Sequence, residues 1–124
     1  MEHNIFTAKN YTDPAIFDLE MRKIFSQCWH FAGLVEDLSK NNHYLTVLAG
    51  YNNLVIVRND HGQLNAFHNR CRHRGMKILE GSGEISQAHL SCPYHDWAYN
   101  WQGELKGLPE EKTQFKGLNK ACLS

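Results

Sequence analysis

Two short stretches of the sequence stand out, NRCRHRG (residues 69–75) and SCPYHDW (residues 91–97). Cys71 and His73 are two positions apart in the first stretch. Cys92 and His95 are three positions apart in the second. Thiolates and imidazoles are the side chains that proteins use to bind iron, zinc and copper. We therefore predict that these four residues converge from two loops to hold a metal centre.

The way in which the donors are divided between the stretches favours a binuclear centre. A structural zinc site usually takes pairs of like residues, spaced as C-x₂₋₄-C and H-x₃₋₅-H, around one ion. Here each stretch supplies one cysteine and one histidine, which suits two bridged irons, with the two thiolates on one and the two imidazoles on the other. A disulfide between Cys71 and Cys92 would leave the spacing of the histidines unexplained. A single zinc ion remains the alternative.

The composition restricts the classes of function. A chain of 124 residues has the length of one domain. Its 13 basic and 13 acidic residues cancel, so no long-range field attracts nucleic acid or an anionic membrane. No run approaches the roughly 18 apolar residues of a membrane span, and the first residues lack the apolar core of a signal peptide. We expect a soluble, cytoplasmic protein that binds neither nucleic acid nor membrane.

The N-terminal part of the sequence predicts one amphipathic helix of about three turns. Asp13 precedes Pro14, and this order suits an N-cap followed by the first helical position. At 100° per residue one face of the helix is apolar; it consists of Ile16, Phe17, Met21, Ile24 and Phe25.

From Trp29 onward the apolar residues follow the period of two that is typical of strands. The predicted strands lie in HFAGLVEDL, HYLTVLAG, NLVIVRN, QLNAFHN, AHLSC and WAYNWQGEL. A hairpin turn is expected at NDHGQ, ending on Gly62, and another turn at Gln102 and Gly103. This pattern predicts an all-β, antiparallel meander. After Leu105 the pattern fades, and we expect a segment with little structure of its own.

The motifs CRHRG and CPYHDW, together with YTDPAIFDLEMRKIF near the N-terminus, resemble the Rieske [2Fe–2S] domain in the N-terminal part of ring-hydroxylating oxygenase alpha subunits. The resemblance implies an antiparallel β-sandwich, made of a base and a cluster-binding subdomain, with one N-terminal α-helix. It also implies a [2Fe–2S] cluster with Cys71 and Cys92 on one iron and His73 and His95 on the other. We divide the chain into an N-terminal segment (1–28), a Rieske domain (29–108) and a C-terminal exit segment (109–124).

Four further residues are expected beside the cluster: Arg72, Arg74, Tyr94 and Trp97. Tyr94 and Trp97 stand where high-potential Rieske proteins have an additional cysteine and a serine that bonds a sulfide. Fewer hydrogen bonds to sulfur predict a low reduction potential, about −150 mV. Asp96 stands where oxygenases usually have glycine, and aspartate is one of the few residues that tolerate a positive φ.

The sequence has no convincing site for the mononuclear iron of an oxygenase, which is held by two histidines and a carboxylate. We therefore expect the chain alone to transfer electrons without oxidising a substrate, as an N-terminal fragment of an oxygenase alpha subunit. The resemblance implies three partners: a reductase or ferredoxin donor, a mononuclear-iron catalytic domain that can lie on a neighbouring subunit, and further copies in a trimer. The alternatives are a freestanding Rieske ferredoxin and a zinc-binding interaction module. The N-terminal helix favours the oxygenase.

Overall fold

The structure is a computed structural model that describes residues 6–123. By internal contacts the chain divides into two compact units. The first contains residues up to 31 together with 48–52, and the second contains residues 32–47 together with those from 53 onward. The limits predicted for the three segments, 1–28, 29–108 and 109–124, stay predictions, and residues 1–5 and 124 lie outside the described residues.

The first unit contains the predicted helix. A short helix α1 (Lys9–Thr12) precedes α2 (Pro14–Glu20), which continues as a π-helix over Met21–Phe25. The carboxylate of Asp13 accepts a hydrogen bond from the backbone N–H of Ala15 at 2.9 Å, so the N-cap prediction is confirmed. On the apolar face Phe17 is 54% exposed and Ile24 is 53% exposed, whereas Ile16 and Met21 are partly buried.

The larger sheet has four antiparallel strands, β1 (His43–Ala49), β2 (Asn52–Arg58), β3 (Leu64–His68) and β4 (Ser82–Glu84). Their order is β3-β2-β1-β4, so the chain leaves β3 and returns to the far edge of the sheet beside β1. The predicted turn between β2 and β3 is confirmed. Asn59 closes it by accepting hydrogen bonds from the N–H groups of His61 and Gln63, and Gly62 has a φ of 79°.

The smaller sheet has three antiparallel strands, β5 (Leu90–Ser91), β6 (Ala98–Tyr99) and β7 (Leu105–Gly107), in the order β5-β6-β7. The predicted turn between β6 and β7 is also confirmed, since the N–H of Gly103 donates to the carbonyl of Asn100 at 3.0 Å. The φ of Gly103 is 81°. A Cβ at Gly103 would come within 2.8 Å of the Phe67 ring, so glycine is required there for space as well as for φ.

The core of the second unit draws on both sheets, which confirms the predicted antiparallel β-architecture. Its buried members are Val55, Val57, Cys71, Ile85, Leu90, Cys92, Trp97, Tyr99, Trp101, Leu105 and Leu108. The side-chain amide of Asn65 on β3 also donates to the carbonyl of Trp101 at 2.6 Å. Both motif cysteines therefore lie in the core. Among residues 6–123 no helix is long and apolar enough to cross a membrane.

Three expectations about local structure were wrong. HFAGLVEDL is not a strand: it is irregular until a 3₁₀-helix begins at Val35 and ends at Leu38, because Asp37 captures the N–H of Leu34 at 2.9 Å. The larger sheet is not a simple meander, because β4 pairs with β1 and not with β3, which precedes it in the chain. The strand β4 was not predicted, because its three residues are all exposed and show no alternation of apolar and polar residues. The C-terminal segment has turns, a 3₁₀-helix over Lys120–Leu123, and Phe115 packed against the core.

Candidate metal centre

The first loop is held at its base by one buried amide. Asn69 follows β3 and is 3% exposed. Its Oδ1 accepts hydrogen bonds from the N–H groups of Ile78 and Leu79, both at 3.0 Å, and its Nδ2 donates to the carbonyl of Leu79 at 2.6 Å. A buried side chain that satisfies three backbone groups fixes the path of the chain on both sides of the loop. Cys71 and His73 are therefore presented by a closed loop.

The two loops have the same backbone hydrogen-bond pattern. In the first, the carbonyl of Cys71 accepts from the N–H of Gly75 at 2.9 Å, and the N–H of Cys71 donates to the carbonyl of Met76 at 2.8 Å. In the second, Cys92 is bonded in the same way to Asp96, at 3.0 Å, and to Trp97, at 2.9 Å. The two backbone hydrogen bonds of each cysteine thus close a turn that contains the histidine of the same motif.

Both turns need a positive φ at the equivalent position, four residues after the cysteine. Gly75 has a φ of 74° and Asp96 has a φ of 53°. Aspartate tolerates this left-handed conformation better than most residues because its short side chain bonds locally. The prediction for Asp96 is confirmed.

The two cysteine thiols lie next to each other in the interior. Cys71 and Cys92 are each 2% exposed, and neither forms a disulfide. Burial raises the pKa of the Cys92 thiol, and the neighbouring Cys71 raises it further. The Tyr99 hydroxyl lies 3.3 Å from the Cys71 sulfur and accepts a hydrogen bond from the N–H of Arg72 at 3.0 Å. Burial also raises the pKa of Tyr99, so its hydroxyl keeps its proton and is a donor for a thiolate.

The two histidine rings form a second pair, with their centroids 4.8 Å apart and their planes at 60°. His73 stacks on Trp97 at 4.7 Å with an interplanar angle of 7°, and the edge of Phe115 meets both rings. Burial lowers the pKa of His73, and the nearby His95 and Arg74 lower it further. His73 is therefore neutral near pH 7, the form in which imidazole binds a metal.

The second histidine carries a buried nitrogen without a partner. Nδ1 of His95 is inaccessible to solvent and has no hydrogen-bond partner among the described residues. The ring of the exposed Tyr94 covers His95 at a centroid distance of 3.8 Å. A buried polar atom without a partner costs free energy unless something else satisfies it. A metal ion bound at Nδ1 would do so.

The donor set fits a binuclear iron centre. Within residues 6–123 no group of three or more His, Cys, Asp or Glu is placed to hold one ion. The candidate donors instead come as two pairs, two cysteine sulfurs and two imidazoles, each pair drawn from both loops. Two thiolates on one iron and two imidazoles on the other is the ligation of a Rieske [2Fe–2S] centre.

The four residues predicted beside the centre differ in their exposure to solvent. Trp97 is buried against His73, whereas Tyr94 and the side chains of Arg72 and Arg74 are exposed. Two contacts were not foreseen. Tyr99 was not predicted to contact a motif cysteine, although its position two residues after Trp97 in the predicted strand WAYNWQGEL puts both on the same face. Phe115 lies in a segment whose sequence has no periodic signal.

Comparison with known proteins identifies the relatives of this chain. The family model described as Rieske [2Fe–2S] domain matches residues 28–120. The oxygenase subunit of glycine betaine monooxygenase from Chromohalobacter salexigens is 45% identical over 96 residues, covering 77% of this chain and 21% of its own length. The alpha subunit of biphenyl 2,3-dioxygenase from Rhodococcus jostii is 36% identical over 110 residues, covering 89% of this chain and 24% of its own length.

A solved structure gives the same result for the fold. It is a quaternary ammonium Rieske monooxygenase whose structure gave insights into carnitine oxidation by gut microbiota and inter-subunit electron transfer. The TM-score is 0.83 at 31% identity, over 94% of this chain and 31% of that chain. The chain therefore spans between a fifth and a third of the length of these proteins.

Proposed function

Since the chain belongs to the Rieske [2Fe–2S] domain family, we propose that it transfers single electrons as the domain through which electrons enter a ring-hydroxylating oxygenase. Family membership implies a Rieske-type [2Fe–2S] cluster as its cofactor. When bound, that cluster supplies a centre that accepts and releases one electron. The observation that carries the proposal is the pairing of two thiols and two imidazoles across two loops with identical backbone bonding.

The proposed ligands are Cys71 and Cys92 for one iron and His73 and His95 for the other. Support comes from the two adjacent buried thiols, which would be an unfavourable pair of thiolates without a cation beside them. The unpartnered Nδ1 of His95 supports that nitrogen as the ligand atom.

Several residues of the chain prepare this site. Trp97 and Phe115 pack around His73, so they fix the orientation of its ring and exclude water from it. Tyr99 is in position to donate a hydrogen bond to the Cys71 sulfur, which favours the state of the site with more negative charge. These contacts support His73 and Cys71 as side chains oriented for the proposed site.

An oxygenase domain is favoured over a freestanding ferredoxin. The helical segment over residues 14–25 precedes the β-body, and the relatives named above are oxygenase subunits. The partners we propose are a reductase or ferredoxin as donor and a mononuclear-iron catalytic domain as acceptor. The relative noted for inter-subunit electron transfer supports an acceptor on a neighbouring subunit. The fragment, the trimer and the cytoplasmic location stay predictions.

The test is anaerobic reconstitution with iron and sulfide, followed by metal analysis and reductive titration. We expect two irons and two sulfides per chain and the uptake of one electron. Cys71→Ser and Cys92→Ser variants should lose the cluster, because alkoxide is a poor substitute for a soft thiolate.

The chain offers its own matched control for this experiment. Cys28 and Cys122 are free but exposed, and the double variant Cys28→Ser, Cys122→Ser should keep full iron content. One zinc per chain, or cluster loss in the control variant but not in Cys71→Ser, would contradict the proposal and favour a zinc-binding module or another site.

A further inference from the structure

Three of the five arginines of the chain lie on the first loop at alternate positions, Arg70, Arg72 and Arg74. All three side chains are exposed. We call them the loop arginines. They flank Cys71 and His73 in the sequence, and Arg74 directly follows His73. The loop therefore carries a concentrated positive charge on a chain whose net charge is zero.

The loop arginines lack the partners that the other two arginines have. Arg22 pairs with Asp18, and Arg58 donates to the carbonyls of Leu38 and Gly62. The salt bridges found among residues 6–123 involve other cations, of which Lys77, bound to Glu80, is the nearest in sequence. Three exposed guanidinium groups without carboxylates are available to a carboxylate from outside the chain.

The guanidinium of Arg70 also lies close to the turn of the first loop. A Cβ built on Gly75 would lie 3.0 Å from Nε of Arg70 and 3.3 Å from one of its terminal nitrogens, so the guanidinium lies over the turn that presents His73. The first loop thus brings the Arg70 guanidinium next to the turn that contains the proposed ligand His73.

We propose that the loop arginines form the docking surface for a separate electron-donor protein that presents a carboxylate-rich face. The inference rests on the proposed function and adds the chemistry of the donor. Charge complementarity chiefly accelerates encounter between molecules that must find each other by diffusion, which applies to a soluble donor more than to an acceptor domain held in the same assembly. One electron passes from the reduced donor to the cluster at each encounter, and the donor leaves oxidised.

The experiment measures reduction of the cluster-loaded chain in a stopped-flow instrument, with a negatively charged plant-type [2Fe–2S] ferredoxin as the reductant. Such a ferredoxin has the lower potential, so the electron transfer is downhill. The triple variant Arg70→Gln, Arg72→Gln, Arg74→Gln should be slower by about tenfold at low ionic strength. The difference should fall below about twofold in about 0.5 M salt, where the screening length is only a few ångströms.

Two variants separate charge from other effects. Replacement of the loop arginines by lysine keeps the charge and loses the planar fork, and should cost less than about threefold in rate. Lys40→Gln removes one charge beside the β2–β3 turn, where neighbouring Asn41 donates to the carbonyl of Asp60. The whole of β3, about 17 Å long, separates that turn from the first loop. The reduction rate of Lys40→Gln should therefore match that of wild type.

Two small oxidants of opposite charge provide a readout that does not require a protein interface. Oxidation of the reduced chain by anionic hexacyanoferrate(III) should slow in the triple glutamine variant, and oxidation by cationic hexaammineruthenium(III) should accelerate. The inference would be overturned if the rates with both oxidants changed in the same direction. It would also be overturned if the triple glutamine variant, with full iron content, were reduced by ferredoxin at a rate within twofold of wild type.

Binding of the oxidised ferredoxin, followed by calorimetry at low salt, distinguishes failure of this inference from failure of the proposed function. Binding that depends on the arginines in a chain that shows no Rieske cluster would overturn the proposed function and leave the docking surface standing. A normal Rieske cluster with binding that is indifferent to the arginines would overturn the docking surface alone.

Discussion

Removal of one hydroxyl group, in Tyr99→Phe, should lower the reduction potential of the cluster. The hydroxyl lies 3.3 Å from the Cys71 sulfur inside the core, where Tyr99 is 4% exposed. A phenol can donate to a ligating thiolate, and reduction places more negative charge on that sulfur. The hydrogen bond is therefore stronger in the reduced state, and its loss favours the oxidised state.

The size of the shift follows from the difference between the two redox states. Hydrogen bonds to charged groups contribute about 1.5–3 kcal/mol, but the thiolate is charged in both states, so we assign about 1 kcal/mol to the difference. For a one-electron couple about 1.4 kcal/mol corresponds to 59 mV. Tyr99→Phe should accordingly lower the potential by about 40 mV.

The assay is a potentiometric titration followed by electron paramagnetic resonance, with Tyr94→Phe as the matched control. Tyr94 loses the same hydroxyl from the other loop, but it is exposed and packs by its ring against His95. The reduction potential of the Tyr94→Phe variant should stay within about 10 mV of wild type. An unchanged or higher potential in Tyr99→Phe, with an intact cluster signal, would show that the hydroxyl does not donate to the sulfur.

Three further predictions concern stability. Asn69→Ala should lower the free energy of unfolding by about 3 kcal/mol in chemical denaturation, because three partly buried backbone groups lose their partner; a loss under about 1 kcal/mol would mean that the loop closes without it. Asp96→Gly should be neutral or raise the thermal midpoint slightly, whereas Asp96→Val should destabilise by about 1–2 kcal/mol because φ is 53°; equal stability of the two would contradict the role of φ. Phe115→Ala should cost about 1–2 kcal/mol, less than a fully buried ring, and broaden the His73 ring signals in NMR of the diamagnetic apo-protein; unchanged signals would show that Phe115 does not restrain the ring.

The sequence was most informative where chemistry and spacing coincide. The four candidate donors could be proposed because cysteine and histidine repeated together at two short spacings are typical of a metal centre, and the structure brings the two cysteines together and the two histidines together. The strands β1, β2 and β3 could be predicted because they carry β-branched and aromatic residues between turns built on glycine and asparagine. The N-cap at Asp13 followed from proline at the next position.

The remaining features depend on contacts that no local pattern encodes. Asp37 redirects residues 34–38 with one hydrogen bond, which overrides an apolar run. The strand β4 has only exposed residues, and its antiparallel pairing with β1 is what defines it as a strand. The positions of Tyr99 and Phe115 beside the donors result from chain segments that are 28 residues from Cys71 and 42 residues from His73 in sequence.

The most direct test of the account is pulsed electron paramagnetic resonance of the reduced, reconstituted chain with ¹⁵N-labelled histidine. We expect hyperfine coupling from two histidine nitrogens in wild type, and from one in a His73→Cys variant that keeps its iron. A paramagnetic cluster with no histidine nitrogen coupling, or a diamagnetic chain that holds a single zinc ion, would contradict it.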